Sequence, residues 1–177
     1  FMIVKAATPA SRPKLYAAVI DDALTTTEAR QLQKDFSAKL GQSVNIDSYF
    51  DTSKDGLDKL QTMLSSKQID VIIAPQSKFK QLAGYGYFRN LATSLDTEQR
   101  SSLRNDLVTL HGYDDADDDD PDVSGSGKGA AKPYGLSLAQ AKTWNKLDGA
   151  DSKALIGIAA NTQNAGTARE FIDWLYR

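Results

Sequence analysis

The residues able to do chemistry are few, and most are oxygen donors. Seven aspartates lie within residues 114–122 (Asp114, Asp115, Asp117, Asp118, Asp119, Asp120 and Asp122). A run of carboxylates could hold a hard cation such as calcium. An EF-hand loop, however, needs glycine at its sixth position and an acid at its twelfth. Counted from Asp115, those positions are Asp120 and Ser126, and the pattern fails. Counted from Asp51, the loop reaches Gly56 correctly but ends on Thr62, which offers no bidentate carboxylate. The reading is therefore a solvated acidic loop over 112–131 and a strand-to-helix turn at Asp51–Gly56, with no metal site. Gly125-Ser126-Gly127-Lys128-Gly129 lacks the spacing of a phosphate-binding loop and reads as linker. His111 is the only histidine, so a histidine zinc site or a Ser-His-Asp triad would rest on it alone. Beside Gly112, it reads as a helix-end residue that meets free carbonyls. There is no cysteine, which excludes disulfides, thiol nucleophiles and thiolate metal sites. No cofactor fingerprint is present, and a non-enzymatic protein is expected.

The elements that would position such groups are legible from hydrophobic pattern. Gln68 to Gln76 contains the continuous run Val71-Ile72-Ile73, which does not alternate and is closed by Pro75. Such a run reads as a strand buried on both faces. Leu15–Ile20 and Leu155–Ala160 have the same character, whereas Val44–Phe50 alternates like an edge strand. Between them, Thr25 and Glu28 form a capping-box pattern ahead of Ala29, Leu32, Phe36 and Leu40, and Gly41 stands at the C-cap position. Leu57, Leu60 and Leu64 mark a second helix, and Ser77–Ala83 a third. Asp96 with Gln99 predicts a further helix that places Leu103, Leu107 and Leu110 inward. Lys132–Leu138 reads as a short strand, Ala139–Leu147 as a helix burying Trp144, and Thr167–Tyr176 as a closing helix with Ala168, Phe171, Ile172 and Leu175 inward. The order predicts an α/β fold: a three-layer sandwich with a mostly parallel sheet.

In a doubly wound sheet the ligand crevice lies at the carboxyl ends of the strands. That edge would gather Asp21, Asp22, Tyr49, Gln76, Ser77 and Asn161, groups suited to sugars, peptides or cations. Asp21, Asp22, Gln76 and Ser77 are the candidate ligand-binding residues. The competing reading is that Asp21 and Asp22 start a turn and that Gln76 or Ser77 caps a helix. Trp144, Trp174, Tyr85 and Tyr87 could form an aromatic platform for sugar, although helical spacing places Trp174 in the core.

The chain has 177 residues, 41% hydrophobic and 25% charged, with a net charge of −2, as one globular domain over 14–177 would have. Outside the acidic run the balance is mildly basic but not clustered, so no nucleic-acid partner is expected. Phe1-Met2-Ile3-Val4 is far too short to cross a bilayer, which takes about 20 apolar residues. Residues 1–13 read either as the remnant of an N-terminal anchor with its stalk or as a cloning remnant.

Several stretches together resemble the extracellular solute-binding proteins of the type 2 periplasmic binding fold. Ile69-Asp70-Val71-Ile72-Ile73-Ala74 is similar to a strand of that family. The turn ending Gly86-Tyr87-Phe88-Arg89-Asn90-Leu91 resembles another of its motifs. Lys132-Pro133-Tyr134-Gly135-Leu136 resembles the strand leading out to the family's second lobe, and Gly157–Asn164 with Ala168–Leu175 resembles its returning segment. Between the two the family carries a whole lobe; here only Ala139–Ala154 intervene. The resemblance thus implies a single-lobe form: a bacterial, extracytoplasmic binding or interaction module, tethered to the membrane by a segment outside this chain. Its ligand would be a sugar or peptide. The alternative is a protein–protein scaffold, or a self-associating membrane-anchored lipoprotein-like domain, with no small-molecule ligand.

Overall fold

The computed structural model describes residues 12–114 and 125–177. Residues 1–11, which hold most of the expected stalk, and 115–124, which hold most of the acidic run, lie outside the described residues. In chain order the elements are β1 (Tyr16–Ile20), α1 (Thr26–Leu40), β2 (Asn45–Phe50), α2 (Gly56–Ser65), β3 (Val71–Ala74), α3 (Gln76–Gly84), α4 (Leu91–Ser94), α5 (Thr97–Ser102), β4 (Leu107–His111), β5 (Ala131–Ser137), α6 (Lys142–Asn145), β6 (Leu155–Ile158) and α7 (Ala165–Tyr176). Short 3₁₀ turns, Arg104–Asp106 and Leu138–Gln140, precede β4 and α6.

The six strands among the described residues form one sheet in the order β2-β1-β3-β6-β5-β4. β1 pairs parallel with β2 and with β3, while the β3–β6, β6–β5 and β5–β4 pairs are antiparallel. The expected mostly parallel sheet therefore holds for the β2-β1-β3 half, where helices make the crossovers. It fails beyond β3, because the chain returns from β5 to β6 through the short 138–154 connection, which reverses direction.

The sheet is covered on both faces. The strands alternate side chains, so Val71 and Ile73 enter one core with Phe36, Trp144, Phe171 and Leu175, while Ile72 and Ala74 enter the other with Leu60, Phe79, Leu82 and Phe88. This is the physical meaning of the unbroken run Val71-Ile72-Ile73: both sides of β3 are dry. The α1 boundaries follow the sequence. Thr25 Oγ1 accepts the Glu28 N–H (3.2 Å), and Gly41, at φ +72°, ends the helix with its N–H on Ser37 O (2.9 Å). The second core has a narrow point: Phe79 and Phe88 stack with centroids 4.1 Å apart, and the strand residue beneath them is Gly157.

The helix expected after Asp96, with Leu103, Leu107 and Leu110 on its inner face, stops at Ser102. Its capping box forms as read, but Leu107 and Leu110 belong to β4. Leucines three and four apart mimic a helical face, yet Leu107-Val108-Thr109-Leu110-His111 finds an antiparallel partner in β5. Trp144 is fully buried and Trp174 packs 5.1 Å from Phe36 between ring centroids, so both serve the core. Among the described residues no helix is long and apolar enough to cross a membrane.

Candidate functional site

The carboxyl end of β1 runs directly into Asp21 and Asp22, which both take left-handed φ values, +50° and +59°. Aspartate is one of the few residues that enter this region readily. The turn throws the Asp21 carboxylate across to the loop after β2, where it accepts the Thr52 N–H (2.7 Å) and the Thr52 hydroxyl (2.6 Å). Asp21 is thus a tie between two connections. Asp51 folds back in the same way onto the Ser53 hydroxyl (2.5 Å) and N–H (2.9 Å), and these bonds hold its carboxyl below the usual range. The half EF-hand pattern at Asp51–Gly56 is a tight turn: the Gly56 N–H meets Asp51 O at 2.9 Å, and a side chain at Gly56 would strike that backbone.

Asp21, Asp22, Asp51, Thr52, Ser53 and Lys78 line an open notch of about 450 Å³. Ser77 faces another groove, of about 410 Å³, shared with Lys80, Gln81, Gly84, His111, Ser126 and Gly127. Helix α3 stands between the two. The four candidates are therefore split: Asp21 and Asp22 on one side, Ser77 on the other, and Gln76 in neither wall. Neither Gln76 nor Ser77 caps α3, whose N-cap is Pro75 with no side-chain bond. Tyr49 stands out from β2, 62% exposed.

Asn161 is at the opposite edge. Its side-chain amide donates to Leu64 O (2.7 Å) at the end of α2. A parallel β6 would end beside Asp21, as the sequence pattern predicts; the antiparallel strand carries Asn161 to the far side. What gathers at that edge is a cluster that sequence reasoning missed. Asp70, 2% exposed, accepts the Tyr16 N–H (2.9 Å), the Thr162 hydroxyl (2.6 Å) and the Asn164 amide (3.3 Å to each oxygen). It locks the entry to β3 onto the loop after β6. The available signal was an acid placed directly before an apolar run, together with the polar segment 161–164. A cavity of about 230 Å³ beside it is lined by Arg12, Tyr16, Lys67, Gln68 and Asn164 among others.

A second polar group closes the β2 side. The Tyr16 hydroxyl donates to Asp47 (2.5 Å), and Lys59 pairs with Asp47 (3.1 Å) while lying 4.2 Å from the Phe50 ring centroid. Burial, then the bond to Asp47, pushes the Tyr16 phenol well above its ordinary value. Partial burial works to raise the Asp47 carboxyl, but the bonds from Tyr16, the Tyr49 N–H and Lys59 outweigh it and hold the group low.

His111 ends a strand rather than the expected helix, and it does meet a carbonyl. Its Nδ1 lies 3.0 Å from Gly129 O, which can only accept, so Nδ1 carries the proton. Among the described residues no hydrogen bond joins His111 to a serine or an aspartate, and no group of three or more acidic or histidine side chains is placed to hold a metal. The arrangement at the carboxyl edge offers hydrogen bonds and charge from Asp22 and Lys78 in an open setting. Set against known protein families and curated proteins, the chain matches none.

Proposed function

We propose that this chain is a non-enzymatic extracytoplasmic binding module, built like one lobe of a type 2 solute-binding protein, that takes its ligand at the open carboxyl edge beside α3. One observation carries the reading. The strands that resemble the outgoing and returning segments of that family, β5 and β6, lie side by side in one sheet, joined only through residues 138–154. The notch at that edge faces solvent, with Asp22 and Lys78 in its wall. Asp21 is engaged with Thr52, so Asp22 is the acid left for a ligand, and Gln76 and Ser77 stand at the adjoining helix start. A short peptide or a sugar matches this mixture of carboxylate, ammonium and neutral hydrogen-bonding groups.

A thermal-unfolding screen against sugars, short peptides and amino acids tests the proposal. A ligand present at about 100 times its dissociation constant adds about 2.7 kcal/mol, or roughly 5–10 °C in midpoint for a domain of this size. The expected result is such a shift, lost in Asp22→Asn, which removes the charge yet suits φ +59°, so that the ligand-free midpoint stays put. If no compound moves the midpoint, or if Asp22→Asn and Lys78→Ala leave the shift intact, this assignment of the site is wrong.

A further inference from the structure

The two edges of the sheet are built differently. On β2 three backbone groups are already occupied by side chains. The Ile46 N–H donates to Gln33 Oε1 (2.8 Å), the Tyr49 N–H to Asp47 Oδ1 (2.9 Å), and Tyr49 O accepts Lys59 Nζ (3.0 Å). With these groups taken, β2 is a poor template for another chain. A register irregularity before Phe50, Asp47 on the strand and Lys59 beside it add to this, since bulges and charges are how proteins commonly guard an edge.

At the other end of the sheet, β4 carries no such guard among the described residues. Gly112 turns both backbone groups toward β5: its N–H meets Ala130 O (3.4 Å) and its O accepts the Gly129 N–H (2.9 Å). Strand alternation then directs the backbone groups of His111, Thr109 and Leu107 outward. The irregularity in this hairpin falls on β5, where the register steps from Gly135 to Pro133 and skips Tyr134, so β4 itself is unbroken. Pro133, which has no N–H, lies opposite Thr109, as suits a pair that needs no bond between the two strands. The sequence Leu107-Val108-Thr109-Leu110-His111 contains none of the lysine, aspartate, glutamate or proline that blunts an edge.

We propose that a second copy of this chain adds to the β4 edge, antiparallel, with Thr109 on the two-fold axis. Three features select a copy of the same chain. Thr109 is exposed, and a two-fold there sets Val108 against the partner's Leu110 and Leu107 against the partner's His111, with no like charges opposed. Arg104 precedes the strand and Asp114 follows it, so antiparallel order brings each Arg104 toward the partner's Asp114; a parallel arrangement would stack like on like. Tyr113, one of the two exposed large hydrophobic residues among those described, follows this strand by two residues and so stands next to the proposed seam. The assembly is a continuous sheet of two chains, and it leaves the notch by Asp22 on each copy untouched.

Because the chain lacks cysteine, a single introduced thiol reports the interface directly. Opposed residues in an antiparallel pair have Cα atoms about 5.5 Å apart, inside the range of about 4.4–6.8 Å that a disulfide spans. Under mild oxidation Thr109→Cys is expected to give a covalent dimer quickly, and Tyr49→Cys, exposed on the guarded edge, slowly. Sedimentation of the unmodified chain over a concentration series is expected to show reversible dimerisation, weakened several-fold or more in Thr109→Lys, whose circular dichroism and urea midpoint match the parent. A chain that stays monomeric throughout, a dimer unaffected by Thr109→Lys, or equal cross-linking at positions 49 and 109 overturns the proposal.

Discussion

Replacing Gly157 by alanine places a methyl group under two stacked phenyl rings. The added Cβ would lie 2.7 Å from Phe79 Cζ and 2.7 Å from Phe88 Cδ1, well inside contact distance. Neither ring has room to retreat, since Phe79 is fully buried and Phe88 is 5% exposed. Strand β6 cannot drop away either, because it is hydrogen-bonded between β3 and β5. Overpacking of this kind costs about 1–3 kcal/mol. Losing a glycine from the unfolded chain returns about 0.4–1 kcal/mol. Because the methyl meets both rings at 2.7 Å, the cost falls in the upper part of that range, and the net is a destabilisation of about 1–2.5 kcal/mol, or roughly 2–10 °C in midpoint for a domain of this size. Urea unfolding, read at constant slope, measures it. Removing ring atoms with Phe88→Leu should relieve the clash, so the double variant is expected to be more stable than the two single effects added together predict. A Gly157→Ala chain as stable as the parent, or a strictly additive cycle, would refute the reasoning, because either result means the rings are not held against the glycine.

Two further outcomes follow from the polar clusters. Asp70→Ala strands the Tyr16 N–H, the Thr162 hydroxyl and the Asn164 amide without their acceptor and is expected to cost about 3 kcal/mol in urea unfolding; Asp70→Asn should recover part of that, and a loss below about 1 kcal/mol would show that the clamp contributes little. Asp47 is held below its ordinary value when folded, so its contribution is present above the unfolded aspartate range and is lost as pH falls through the lower, folded value. The stability gap between the parent and Asp47→Asn should therefore be widest near neutrality and close in acid, and a gap independent of pH would contradict the assigned bonds.

Much of the fold was written locally. The run Val71-Ile72-Ile73 cannot be half-exposed without wasting one face, so β3 had to be central. Thr25, Glu28 and Gly41 delimit α1 through bonds that span no more than a helical turn. Asp21 and Asp22 were legible as a turn for the same reason. The errors share one cause. Leu103, Leu107 and Leu110 satisfy a helical spacing, and only the presence of Lys132–Leu136 as a partner makes Leu107–His111 a strand. Sequence reasoning puts Asn161 at the wrong edge because the direction of β6 depends on which strand it lies beside, and nothing within Leu155–Ile158 records that. Ser77 and Asp22 are close in the expected topology, yet α3 separates them. The amino-acid sequence determines where segments begin and end, because caps, turns and burial act over a few residues. Strand direction, edge identity and the division of the candidate site are decided by pairings between residues far apart in the chain, and so they belong to the tertiary structure alone.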